Sequence, residues 1–428
     1  MALFIKLGWY FRLQWRRYMA AILMLIGVDL LEMTIPWITG RVIDHVVEGT
    51  LTSLILWRFV ATLVAIAIAV YVMRYLWRVF LFYSSFHLAE TMRQRLFTHM
   101  TRMSPQFFRE HRTGDLMARI SEDVGKVRMY TGPGIMYMIN MISLVVVVVG
   151  AMLRVNAELT LYVLIPLPVL AWAIFRINKE ILQRSSSIQQ QLGILNSAAQ
   201  EMFSGIRLIR ACGLEPLFRK QFDDDLDEFQ RRSLRMSRAD ALFFPLILLL
   251  IGLSTILTVY VGGLQVEKGL ISAGNIAEFV IYVNMLTWPV TSLGWVASMV
   301  QQAEASQIRI NQILLEQPEI DPESGLMVDI EGGFRLENAS YSYPGTEHPA
   351  VQPVNLILKS GETLGIVGRT GAGKSTMVEL LLRLVDPSAG VVMVDGIDLR
   401  NLHPGHYRSQ LGYVPQDVFL FSDTLRKN

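Results

Sequence analysis

The chain has 428 residues, enough for two or three domains. Apolar residues make up 52% and charged residues 18%, with a mean hydropathy of +0.37, whereas soluble domains carry about 25% charged residues. The formal charge of +2 says little about partners and gives no reason to expect a nucleic acid, and the single cysteine, Cys212, excludes an intramolecular disulfide framework.

Crossing roughly 30 Å of hydrocarbon takes about 20 helical residues. Six apolar runs reach that length: Met19–Gly40, Leu56–Tyr83, Ile135–Val155, Glu158–Ile177, Ala241–Leu264 and Ile276–Val300. So many runs within the first 300 residues read as membrane spans rather than as buried helices of a soluble protein. The first run is too long for a cleavable leader, and Lys6, Arg12, Arg16 and Arg17 precede it without a small-residue cleavage site.

Cations set the expected topology, because Lys and Arg accumulate on the cytoplasmic side. Arg93, Arg95, Arg102, Arg109, Arg112, Arg119, Lys126 and Arg128 lie between the second and third runs. Ten more Lys or Arg, from Lys179 to Arg238, lie between the fourth and fifth. The remaining connections are short and nearly free of cations. The N-terminus, both long loops and everything after the sixth run are therefore expected inside the cell. Within the long loops, Thr91–Met103 and Gln189–Gly205 carry apolar residues at three- and four-residue spacing, so both read as helices continuing the spans. Such rods either carry motion to the membrane or are simply solvated helices.

Asp29 and Glu32 share one face of the first span. Carboxylates are costly in hydrocarbon, so these two either line a water-filled substrate cavity, meeting a cation or a proton there, or sit hydrated near the outer rim. Pro36, Pro166, Pro168 and Pro289 are expected to bend their helices, and Trp288 reads as packing.

The composition changes after about residue 307. The transmembrane domain is expected to occupy residues 1–310, a linker containing EQPEIDPESG residues 311–332, and an α/β domain residues 333–428. Strands are expected at Phe334–Tyr341, Val354–Gly361 and Glu362–Gly368, the last of them buried, followed by a helix over Ser375–Leu384. Between strand and helix lies GRTGAGKST, a phosphate-binding loop of the form G-x-x-x-x-G-K-[ST]. Gly368, Gly371 and Gly373 allow backbone conformations closed to other residues. The amides from Thr370 to Thr376 then face phosphate oxygens at a helix start. Lys374 supplies a cation to the β- and γ-phosphates, and Ser375 a hydroxyl ligand for Mg²⁺. Arg369 and Ala372 complete the loop. The expected ligands are ATP and Mg²⁺.

Six spans joined to this loop resemble a half-transporter of the ABC exporter family. The stretches YSYPG, YVPQDVFLF, FFREHRTGDLMARISEDV (Phe107–Val124) and SGIRLIRACGLE (Ser204–Glu215) are similar to family motifs. The resemblance implies that Tyr343 stacks on adenine. It also implies that Gln416 is the glutamine that contacts Mg²⁺ and senses the γ-phosphate, and that the last two stretches are inner loops whose coupling helices dock on the ATPase domain. RLQWRRY, GDLMAR and FLFSDT look especially like a multidrug-resistance-like half-transporter of enterobacteria that pairs with a different second half. A membrane all-α six-helix domain followed by the start of an α/β P-loop ATPase domain is the fold so implied. The place would be a bacterial inner membrane. The partners would be lipid, a hydrophobic small molecule, and a second half in a hetero- or homodimer.

The family pattern continues with a signature motif, a Walker B Asp, a catalytic Glu and a switch His, and none of these follows here. VVMVD, Val391–Asp395, imitates a Walker B strand but lies before the glutamine loop, as do His403 and His406. A truncated ATPase domain is thus expected, without catalytic residues of its own and inactive alone. The alternative is a non-transporting membrane subunit that binds ATP as a regulatory or defective partner.

Overall fold

The computed structural model describes residues 7–416 and 419–427; Lys6 and the Asp417–Val418 pair of YVPQDVFLF lie outside them. Six helical segments are long and apolar enough to cross a membrane: Trp15–Val47, Ser53–Met100, Thr113–Val155, Ala157–Ser204, Glu215–Glu267 and Ala273–Leu315. Each contains one of the six apolar runs. Hydrocarbon offers no partner for a backbone amide, so helices that bond internally are the natural outcome of such runs.

The helices overshoot the membrane. Ser53–Met100 runs 48 residues without a break, about 72 Å at 1.5 Å per residue against the roughly 30 Å of a bilayer core. Both Thr91–Met100 and Gln189–Ser204 are continuous with the spans preceding them, as the apolar spacing requires. The helix is interrupted at Met33 and at Ile165, just ahead of Pro36 and of the Pro166–Pro168 pair; Pro166 opens its segment, where it needs no N–H partner. Pro289 lies inside the unbroken helix Ala273–Leu315. A π-helical turn at Tyr130–Gly134 holds Pro133, and there Gly132 packs so closely that a Cβ would lie 2.8 Å from the Ser85 Cβ.

One compact unit comprises residues 1–89 and 125–305. Its core is built by Val148 and Met152 of the third span, Leu159 and Leu170 of the fourth, and Phe279 and Tyr282 of the sixth. Outward-facing Tyr71, Val146, Phe175 and Leu249 stay exposed, as lipid-facing side chains should. At one end, Asp44 accepts hydrogen bonds from the Ser272 hydroxyl and the Gly274 amide, both at 2.8 Å, which pins the start of the sixth span to the first.

The second unit comprises residues 90–124 and 306–428. Helix α1 (Pro105–Glu110) and helix α2 (Thr113–Ala118) of the first long loop belong to it. Buried Asp123 accepts from the Ser306 hydroxyl at 2.8 Å and pairs with Arg309, while Ser104 reaches Glu319 at 3.2 Å. Four antiparallel strands form its sheet: β1 (Phe334–Tyr341), β2 (Val351–Leu358), β3 (Ala389–Val394) and β4 (Ile397–Asp398), in the order β2-β1-β3-β4. Leu336, Ala339, Val392 and Val394 bury one face against Leu399, Leu402 and Tyr407.

Glu362–Gly368, expected as a buried strand, is neither buried nor a strand. It runs irregularly, with Leu364, Ile366 and Val367 exposed to 36, 40 and 99%. A strand exists only through its ladder, and none of the described strands pairs with this segment.

VVMVD lies on β3 and at the turn after it, paired antiparallel with β1. The Asp395 carboxylate accepts the amides of Glu331, Gly332 and Gly333 at 2.7, 3.2 and 2.8 Å. Its role is to hold a turn rather than a metal. Desolvation would raise its pKa, but the three amides prevail and the net direction is downward. The stabilisation is therefore complete above the ordinary carboxylate range and lost as pH falls through the lower folded value. Asp395→Ala is expected to speed amide exchange at residues 331–333 by about tenfold, the equivalent of one charge-assisted hydrogen bond near 1.5 kcal/mol, with the Ser53–Met100 helix unaffected. Unchanged exchange at 331–333 would refute this role.

Candidate nucleotide-binding site

The phosphate loop leads into helix α3 (Lys374–Leu381), one residue earlier than the apolar pattern suggested and three shorter at its end. Gly371 and Gly373 have φ of +83° and +81°, in the left-handed region. At Gly373 there is also no room, since a Cβ would lie 2.1 Å from the Ala350 carbonyl oxygen. Gly368 is constrained by space rather than by dihedral: a Cβ there would meet that of Ala372 at 3.1 Å. The requirement for glycine thus has two causes, of which only the dihedral was anticipated.

Lys374 folds back along the loop, its Nζ donating to the carbonyls of Gly368 and Arg369 at 2.8 and 2.9 Å. This places the cation over the loop formed by Arg369, Thr370, Gly371 and Ala372. The amides opening α3 have no acceptor within the helix, so they and the helix dipole present a positive field to an anion. Ser375 is exposed, and among the described residues its hydroxyl makes no hydrogen bond. No cluster of three or more His, Cys, Asp or Glu suited to a metal occurs among the described residues. That donor set fits Mg²⁺ held by one hydroxyl and by phosphate oxygens, the usual arrangement for this hard, water-retaining cation.

Thr376, in contrast, is buried, and its Oγ1 lies 3.0 Å from the Tyr343 hydroxyl. Tyr343 is half-buried beside the loop, edge-on to Tyr341 with ring centroids 5.0 Å apart. One face of its ring is covered by the Arg109 guanidinium at 4.9 Å. Arg109 also pairs with Glu379 of α3 at 3.1 Å. Burial alone would lower the Arg109 pKa; contacts with Tyr343 and Glu379 outweigh it and the direction is upward. Sequence reasoning missed this group. Arg109 stood there as one loop cation among eight and within a stretch expected to dock on the ATPase domain, but with no partner named, and 270 residues separate it from Glu379. No local spacing can signal such a pair.

Gln416 lies exposed in a bend, and nothing in the described residues joins it to Ser375. In the membrane unit, Asp29 is buried and accepts from Asn140 at 2.9 Å, its second oxygen unpartnered among the described residues. Glu32 pairs with Arg74. Glu32, Arg74, Trp77, Tyr137, Asn140 and Trp288 line a cavity of about 370 Å³. Asp29 stands behind Asn140 rather than in the wall, and Trp288 lines the cavity as well as packing edge-on to Tyr137.

Fold and loop together define a membrane-embedded, nucleotide-binding protein. Residues 18–290 match the ABC transporter transmembrane region, and residues 351–428 match the ABC transporter family. The chain belongs to the ABC transporters. It is 36% identical over 431 residues to the multidrug resistance-like ATP-binding protein MdlA of Escherichia coli (strain K12), covering 100% of this chain and 73% of that protein. It is 32% identical over 425 residues to the probable multidrug resistance ABC transporter ATP-binding/permease protein YheI of Bacillus subtilis (strain 168), covering 99% and 73%. A multidrug efflux ATP-binding/permease protein of Mycobacterium bovis (strain BCG / Pasteur 1173P2) is 28% identical over 335 residues, or 78% of this chain and 28% of that one.

Gly373→Ala tests the loop. It forces a side chain into a left-handed conformation, at about 1–2 kcal/mol, and against the Ala350 carbonyl. Nucleotide affinity, measured by fluorescent-ATP titration, is expected to fall at least about tenfold while membrane insertion is unchanged; an unaltered affinity would show that this geometry is not needed.

Proposed function

We propose that this chain is one half of an ATP-driven exporter of hydrophobic or amphipathic compounds, working in a bacterial inner membrane beside a second, different half. The phosphate loop carries this reading: its lysine, its two left-handed glycines and the helix start beneath it are joined in one polypeptide to six membrane helices. The names of the relatives support the multidrug class of substrate. The distribution of Lys and Arg supports a cytoplasmic nucleotide domain.

On this proposal the loop amides and Lys374 hold the β- and γ-phosphates. Ser375 ligates Mg²⁺ with Gln416 contributing from its loop, and Tyr343 offers the adenine a ring. Mg²⁺, when bound, neutralises charge on the phosphate oxygens. Nucleotide-driven pairing of the two ATPase domains then moves the inner loops, and the spans alternate between inward and outward access. The cavity beside Glu32 and Trp288 receives part of the substrate, and Asn140, held by Asp29 behind it, adds a polar group to its wall.

A second reading, ATP as a regulatory ligand without turnover, draws support from two carboxylates. Glu379 is engaged by Arg109, and Asp395 by three amides, so neither is free to activate water.

Lys374→Ala separates the possibilities. Loss of its cation is expected to weaken ATP binding by about a hundredfold, near 2.7 kcal/mol for a charge-assisted contact to phosphate, and to abolish efflux of a fluorescent dye from cells. Wild-type ATP turnover above background, together with the partner half, would support the pump. Binding without turnover would support the regulatory reading. Unchanged affinity in the variant would overturn both.

A further inference from the structure

Five cations surround one cavity at the junction of the fourth and fifth spans. It measures about 840 Å³, and Arg176, Lys179, Glu180, Arg184, Arg235 and Arg238 form its polar wall. Its level follows from the sequence. On one helix Arg176 is the first cation, at the end of the apolar run Glu158–Ile177; on the other the charged run ends at Asp240 and the apolar run begins at Ala241. The cavity therefore straddles the height at which both helices leave hydrocarbon. Trp172 lies one turn deeper, with the Arg176 guanidinium 5.9 Å from its ring centre, in the manner of interfacial aromatics.

The charge is unbalanced. Glu180 is the only acid in the wall, and Arg184 takes its carboxylate at 2.7 and 3.0 Å. Arg184 also donates to the Arg235 carbonyl, which ties the two walls together. Five cations less one carboxylate leave a net +4, and Arg176, Lys179, Arg235 and Arg238 have no ion-pair partner among the described residues. The membrane side of the cavity is apolar: Ile177 and Leu242 line it, and Phe175 and Phe244 beside them are about two-thirds exposed.

We propose that this cavity binds the headgroup of an anionic phospholipid. Arginine forks match phosphate oxygens, basic pockets between spans at the inner face suit acidic headgroups, and the apolar side gives the acyl chains a surface that a free phosphate would not need. The assignment relies on the inner-face orientation proposed above, and on nothing in the ATP cycle.

Native mass spectrometry of the full chain in detergent, titrated with phosphatidylglycerol or phosphatidylcholine, tests it without nucleotide or transport. The wild type is expected to retain phosphatidylglycerol and release phosphatidylcholine. The variant R176Q/K179Q/R238Q should bind phosphatidylglycerol at least about tenfold more weakly, since each cation near an acidic surface is worth roughly fivefold. R219Q/K220Q/R231Q, which removes three exposed cations of the same connecting helix away from the cavity, should bind as the wild type. Helical circular dichroism identical in all three proteins shows that the fold is intact. Equal retention by the two variants, equal retention of the two lipids, or displacement of lipid by millimolar inorganic phosphate would each overturn the lipid assignment, and none of them bears on whether the chain hydrolyses ATP.

Discussion

Hydrocarbon cannot hydrogen-bond a peptide, and the architecture follows from that constraint. Each apolar run must close its own backbone bonds, so each becomes a helix. A helix has no reason to stop where the lipid does if good helix formers follow, and here they do. The charged stretch after Tyr83 keeps apolar residues at helical spacing, so Ser53–Met100 continues to 48 residues. The chain then turns at Ser104–Pro105 and delivers α1, whose place among the contacts is with the sheet and phosphate loop rather than with the spans. A solvent property thus determines which polar segment reaches the nucleotide site.

At that site the backbone does what side chains do elsewhere. Few side chains project at the anion; glycine dihedrals and the opening turn of α3 supply the donors. Close packing is the cost of this arrangement, visible where the Ala350 carbonyl leaves no space for a Cβ at Gly373. Lys374 waits on the carbonyls of Gly368 and Arg369, so a phosphate would have to exchange those two hydrogen bonds for its own. Charge-assisted bonds to phosphate exceed neutral ones to carbonyls, and the exchange is downhill.

Much of this was legible in the sequence because it is local. Six spans, the phosphate loop, β1 and the overshooting helices each follow from composition or spacing within some twenty residues. What was not legible depends on partners distant in the chain. Glu362–Gly368 has the apolar content of a strand, but strandness is a property of a pair, and the described sheet does not extend to it. VVMVD was set apart from a Walker B strand by its place in the chain, but the reason its aspartate is conformationally tied, three amides some 60 residues earlier, could not be read locally. The Arg109–Tyr343–Glu379 group is the extreme case, assembled from three regions with no common periodicity.

That group also bears on how nucleotide and helix position can be linked. A cation over a ring and a single ion pair are both short-ranged, each worth about 0.5–1 kcal/mol where solvent has access. A shift of α1 by a few ångströms would forfeit both, so the position of α1 and the environment of Tyr343 are not independent variables. If adenine stacks on the same ring, it meets a face already altered by Arg109: either the base takes the opposite side and the three layers reinforce one another, or it displaces the guanidinium and frees α1. The two cases have opposite sign but similar size, 1–2 kcal/mol, within the range of couplings that move allosteric equilibria. Coupling free energies are reciprocal, so if adenine stacks on Tyr343, a ligand that displaces α1 would change nucleotide affinity by the factor by which nucleotide changes its own. One arginine of α1 thus joins the surroundings of Tyr343 to the position of α1, without any change in the phosphate loop itself.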